Sequence, residues 1–371
     1  MATQTLRGPF RADMVGSLLR LKSLKDARAQ HAAGKITDAD LTAVEDQAIR
    51  KLVDRQAAVG LTAITDGEAR RSWWHFDFLW GLSGAEKVAA AQGIQFAGVQ
   101  TKAETVRVSG KLDFPATHPH IEHFKRLHAM VGPKHVAKMT IPSPSMMHYR
   151  GGRKQVSETA YPDMDGYFED LGKTYNKAIK AFYAAGCRYL QLDDTSLAYF
   201  CDPAQRQMLA DRGDNPEQLI KRYVSTLGVA LKDRPKDMTI TTHTCRGNFR
   251  STFVASGGYE PVADMVFNQI DVDGYFMEWD DERSGGFEPL RLLPKGKKVV
   301  LGLVTTKVGA LERPDAIKRR IDAAAQYTSL DQLCLSPQCG FASTEEGNNI
   351  AEDDQWRKLE MIVDISREVW G

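Results

Sequence analysis

The chain has 371 residues, with 49 Lys and Arg against 48 Asp and Glu, and no long run of one sign. It therefore carries no electrostatic footprint for nucleic acid or an anionic membrane, and a small-molecule partner is expected. No apolar run approaches the ~18 residues of a membrane span. The N-terminal MATQTLRGPFRADMVGS lacks the apolar segment of a signal peptide, and five cysteines do not make a disulfide framework. A soluble, cytoplasmic protein with free thiols is the expectation.

Short apolar runs rich in β-branched residues alternate with segments of helical period, the pattern of a parallel sheet wound with helices. In chain order the runs are MVGSLL (14–19), AITDGE (63–68), VAKMTIPSP (136–144), YLQLDDT (189–195), MTITTHTC (238–245), GYFMEWD (274–280), VVLGLVTT (299–306) and LCLSPQCG (333–340). Eight such runs predict an α/β protein of the (β/α)8 TIM-barrel class, one domain over 1–371. Helices are predicted over 37–59, opened by Thr37, and over 164–185, 215–233, 313–327 and 351–369. The stretch 69–135 is too long for one connection, and its alternating part, GIQFAGVQTKAETVRVSGKLDF, predicts a β-hairpin inserted after the second strand. Arg150, Gly151, Gly152 and Arg153 read as a mobile loop.

Residues two apart in a strand face one side, so His243 and Cys245 of THTC form a pincer at the end of the fifth strand. Glu278 closes the sixth run and Cys339 the eighth, which brings four donors to one barrel rim. Imidazole and thiolate are preferred zinc donors, and a carboxylate can fill or vacate the last position, so a catalytic zinc is the expected cofactor. Taken singly, the same residues are a core histidine and small buried hydrophobes. Cys187, Cys201 and Cys334 fit that blander account, and His118, His120 and His123 form a weaker metal candidate.

Other polar groups end strands too: Ser17 the first, Asp66 and Glu68 the second, Asp193 and Asp194 the fourth. Buried carboxylates need partners. A ligand ammonium would satisfy them, while Ser17 and nearby N–H groups would take a carboxylate, so an amino acid fits. Pairing with Arg70, Arg71 or Arg188 is the alternative. Trp73 and Trp74 offer a flat wall for a ring, or core packing.

FRADMVGSLLR, TDGEARRSWW, LQLDDTS, HTCRGNFR and LCLSPQCGFAST resemble the cobalamin-independent methionine synthases, specifically their catalytic C-terminal barrel and single-barrel relatives. The resemblance implies His243, Cys245, Glu278 and Cys339 as zinc ligands, and Ser17, Glu68 and Asp193 as the homocysteine site. It implies methyl transfer from methyltetrahydrofolate, or a related donor, to a zinc-bound thiolate, giving methionine. Two departures stand out. Nothing here matches the N-terminal half that helps hold the folate tail in two-barrel synthases. At the end of strand seven, where the family carries Asp-x-His, the chain reads GLVTTKVGALE, so Lys307 becomes the candidate proton donor. Competing expectations are zinc-thiolate opening of an epoxide, as in the epoxyalkane coenzyme M transferases, with Arg150, Arg153 and Lys154 for a sulfonate; methyl transfer from a methoxy compound; and a non-catalytic protein with structural zinc.

Overall fold

The computed structural model describes residues 6–371; the first five, part of the stretch read for a signal peptide, lie outside the described residues. Strand β1 (Ala63–Ile64) is followed by four strands of an insertion: β2 (Ser83–Ala89), β3 (Gln95–Phe96), β4 (Val99–Gln100) and β5 (Glu104–Asp113). Then come β6 (Val136–Pro142), β7 (Tyr189–Asp194), β8 (Thr239–Thr244), β9 (Gly274–Glu278), β10 (Lys298–Val304) and β11 (Leu333–Pro337). The sheet order β1-β6-β7-β8-β9-β10-β11 is parallel throughout. This curled parallel sheet wound with helices is the arrangement of a TIM-like barrel.

The predicted first strand, 14–19, is absent as a strand. The segment around it still spans the gap between the sheet's two edges. Leu335 N–H donates to Arg11 O (2.8 Å), Asp13 N–H to Leu335 O (3.1 Å), and Leu18 N–H to Gly67 O (3.0 Å). No ladder forms because side chains take the intervening carbonyls: Lys138 that of Met14, Gln191 that of Val15, Thr65 that of Gly16. The second predicted strand is cut to two residues for a related reason. The Gln56 side chain takes both backbone groups of Thr65 (3.0 and 2.9 Å), and the chain then turns through Gly67 and Glu68 at φ 64° and 56°. The other six predicted strands appear, trimmed by a few residues at their ends.

The five predicted helices are present, the first as Asp38–Val59 with a capping box between Thr37 and Asp40. Helices Lys22–Ala32, Pro203–Asp211 and Ala263–Gln269 were not expected. In the insertion, β2 pairs antiparallel with β5, and a small β3–β4 hairpin lies between them. The predicted hairpin therefore has a partner strand, β2, that lay outside the alternating segment. No helix among the described residues is long and apolar enough to cross a membrane.

At the N-terminal end of the sheet, Lys138 and Asp13 are both fully buried and paired at 3.1 Å. Asp13 also accepts from Tyr189 Oη (2.7 Å) and from two backbone N–H groups, so the pair anchors the ring-closing segment. Asp13→Ala leaves Lys138 buried without its counter-charge, and the expected cost is about 3–5 kcal/mol. Chemical denaturation checks this; wild-type stability in the variant would show that the pair does not anchor the segment.

Candidate metal centre and its cavity

The C-terminal strand ends bring the predicted donors together. His243 lies in β8, where its register partner in β7 is Asp193, and Cys245 follows the strand. Glu278 ends β9 and Cys339 comes two residues after β11. One ligand atom from each of His243, Cys245, Glu278 and Cys339 lies within 4.8 Å of the others, and all four residues are buried. The two sulfurs are 3.5 Å apart. Among the described residues both ring nitrogens of His243 lack a hydrogen-bond partner. An imidazole buried in that state is costly unless a further group completes it, and nitrogen, two sulfurs and a carboxylate oxygen are a donor set that suits zinc.

The charge states agree with this fit. Burial works against a charged His243, yet the neighbouring Cys339 sulfur outweighs it and lifts the imidazole to about 9. Cys339 is the thiol that ionises readily, through its contact with Cys245, while the same contact holds Cys245 protonated. Such a cluster is poised to exchange protons for a cation.

Several groups that sequence reasoning missed hold the donors in place. Glu278 Oε1 accepts from Arg246 N–H (2.9 Å) and Oε2 from Arg283 Nη2 (3.0 Å). Tyr259 Oη accepts from Glu278 N–H (3.0 Å) and reaches the carbonyls of Glu278 (3.3 Å) and Thr244 (3.4 Å), tying β9 to β8. Asn248 Nδ2 donates to Gly340 O (2.7 Å), joining the loops that carry Cys245 and Cys339. Gly340 has no room for a side chain, since a Cβ there would meet Ser17 Oγ at 1.9 Å. No periodicity marks these residues; they act from loops and a short 3-10 turn, mostly through a backbone group.

His243, Cys245 and Cys339 open into a cavity that is also lined by Ser17, Glu68, Trp73 and Asp193. Glu68, held in the left-handed region at φ 56°, accepts from Thr140 Oγ1 (2.9 Å) and lies 3.6 Å from Arg71, while its Oε2 has no partner among the described residues. Burial raises its pKa against the pull of Arg71 and Arg20. Burial likewise pushes Asp193 up to about 7, opposed by His243. Ser17 Oγ accepts from Ala342 N–H (3.2 Å). Trp73 Nε1 donates to Glu104 Oε2 (2.8 Å) in the insertion.

Other candidates fall elsewhere. Lys307 does not line the cavity; its Nζ is 3.7 Å from Asp280 Oδ2. Asp194 is spent on Ser145, Ser196 and Leu197 N–H, and Asp66 on the turn, accepting from Glu68 N–H (2.8 Å). His118 packs on Phe114 with Nε2 3.0 Å from Phe78 O, and among the described residues the three histidines 118, 120 and 123 do not converge as a donor group. The insertion, in turn, contributes Ile94, Phe96 and Thr101 to the cavity wall.

Against this geometry, a family model described as the cobalamin-independent synthase catalytic domain matches residues 145–365. The chain belongs to that family. It is 51% identical over 365 residues to the Bacillus subtilis protein YxjH, covering 98% of this chain and 96% of that one. A solved structure from Listeria monocytogenes, described provisionally as a vitamin-B12 independent methionine synthase, shares 41% identity with a TM-score of 0.79 over 98% of both chains. The 5-methyltetrahydropteroyltriglutamate–homocysteine methyltransferase of Bacillus velezensis is 22% identical over 362 residues, 95% of this chain and 42% of that protein.

The tie made by Tyr259 has a measurable weight. Tyr259→Phe strands the Glu278 N–H and is expected to cost about 1–2 kcal/mol. A thermal midpoint unchanged from wild type would show that the hydroxyl does not join the strands.

Proposed function

We propose that residues 1–371, with 69–135 as an insertion, form one zinc-dependent S-methyltransferase domain that transfers a methyl group from methyltetrahydrofolate or a related donor to homocysteine, giving methionine. The observation that carries this is the convergence of His243, Cys245, Glu278 and Cys339 beside a cavity whose wall holds two buried, desolvated carboxylates, Glu68 and Asp193. A zinc ion held by those four residues would supply the charge that keeps a bound thiol deprotonated at neutral pH.

Every other role falls to the chain itself. Glu68 and Asp193 are desolvated acids whose burial outweighs the pull of Arg71, Arg20 and His243, and an ammonium placed between them adds the charge that offsets the rest. Ser17 Oγ, which accepts from Ala342 N–H, keeps its own hydrogen for the amino acid's carboxylate. Trp73, fixed by its bond to Glu104, supplies a flat apolar wall for the methyl donor. In the transfer, a sulfur–carbon bond forms as the donor's nitrogen–carbon bond breaks, the thiol proton leaves, and the nitrogen takes up a proton. The cavity's part is to hold sulfur and methyl carbon in line, which is worth more than any single contact. For Lys307 to protonate the nitrogen, its side chain must swing from Asp280 towards the cavity.

Two measurements test this proposal. Elemental analysis should find about one zinc per chain, lost together with methyl transfer in Cys339→Ser; full metal retention in that variant rejects the ligand set. Methionine, which has no thiol to titrate, should bind more tightly as pH rises through about 7, because its ammonium requires Asp193 in the charged form that burial opposes. Asp193→Asn should weaken methionine about tenfold and flatten the profile. An unchanged profile in that variant would remove Asp193 from the ammonium site.

A further inference from the structure

One wall of the cavity carries a charge that an amino-acid thiol does not use. Arg150, beyond the end of β6, lines the cavity, and its Nη2 donates to Tyr199 Oη at 3.3 Å, a long bond to a neutral group. No carboxylate among the described residues pairs with it. Nearby arginines are spent: Arg153 pairs with Glu158 (3.9 Å), and Arg212 with Asp214. Arg150 is nonetheless fixed in place, because the Arg212 guanidinium donates to the carbonyls of Tyr149 (2.7 Å) and Arg150 (3.0 Å). This segment is pinned, contrary to the mobile loop expected from its glycines.

A second unfilled group lies on the same wall. His75 is 3% exposed, lines the cavity, and its Nδ1 has no partner among the described residues. Burial, reinforced by Arg150, holds its pKa well below the ordinary range, so it stays neutral beside the guanidinium. The Trp74 and His75 rings lie 4.5 Å apart at 31°, and Ile94 and Phe96 of the insertion complete an apolar surface, with Phe96 braced 5.3 Å from Phe249. A half-buried guanidinium without a counter-ion, a neutral imidazole with a free nitrogen and flat apolar walls together fit a ring system that bears a carboxylate.

We propose that Arg150 is the docking group for a carboxylate on the second substrate, the methyl donor, whose flat ring lies against Trp74, Ile94 and Phe96. This rests on the methyl-transfer function proposed above. The two substrates are then sorted by charge. The ammonium of the thiol goes to Glu68 and Asp193, whose opposing charges are Arg71, Arg20 and His243, and the anion of the donor goes to Arg150.

The test is a set of calorimetric titrations of the zinc-loaded protein with two matched pairs. Methyltetrahydrofolate is set against methyltetrahydropterin, which lacks the carboxylates, and para-methoxybenzoate against para-methoxybenzyl alcohol. Wild type should prefer the anionic member of at least one pair by about tenfold or more. Arg150→Gln should abolish that preference, and Arg150→Lys should restore part of it, with homocysteine affinity unchanged in both and circular dichroism confirming the fold. A preference that survives in Arg150→Gln, or none in wild type for either pair, overturns the proposal. So does a loss of homocysteine binding in Arg150→Gln, which would give Arg150 to the thiol's own carboxylate. Arg150-dependent discrimination confined to the benzoate pair upholds the proposal and removes folate as the donor. Failure of wild type to bind homocysteine removes the thiol, and with it the proposed function, whatever the anion pairs show.

Discussion

Two thiols, an imidazole and a carboxylate buried within 4.8 Å of one another are the constraint around which this molecule is organised. Left to themselves, such groups repel, lose hydration and compete for protons, and a cation is the simplest remedy. The surrounding structure bears that burden of placement. Tyr259 clasps β8 and β9, Arg283 and the Arg246 N–H take the two oxygens of Glu278, and Asn248 stitches the loops behind the cysteines. Tyr259 also packs in the apolar core against Trp279, whereas Arg283, Arg246 and Asn248 owe their place to the four donors.

The same rim shows how one cavity can separate two partners. Its inner acids, Glu68 and Asp193, are disfavoured as anions until a cation arrives, whereas Arg150 on another wall is a cation awaiting an anion. Desolvation strengthens the preference of the acids, since unpaired charge is penalised most where water is excluded. The insertion contributes by bringing Ile94, Phe96 and Thr101 over the strand ends and by holding Trp73 through Glu104.

Much of this was legible in the sequence, and the reasons are physical. His243 and Cys245 announce themselves because a strand's two-residue period puts them on one side, and strand-end placement does the same for Glu278, Cys339, Glu68 and Asp193. The first strand was misread because a hydrophobic run reports burial, not ladder bonding; residues 14–18 are buried, but barrel side chains take the carbonyls of Met14, Val15 and Gly16. Strand β2 was missed because SGAEKVA lies mostly at the surface, where alternation fades. Arg150, His75, Tyr259 and Arg283 left no signal: each sits in a loop or a short 3-10 turn, and what sets it apart is the partner it has or lacks in space.

The ring-closing segment also fixes when the site comes into being. Arg11 and Asp13 bond to Leu335, and Ser17 sits against Gly340, so a segment made early is completed by one made much later. Contacts of such long sequence separation form late, after the entropy of closing the whole chain has been met. Cys339 arrives with that same final strand. The metal centre and the closure of the barrel are thus one event in folding, and a chain stalled short of β11 lacks both a ligand and the floor on which Ser17 rests.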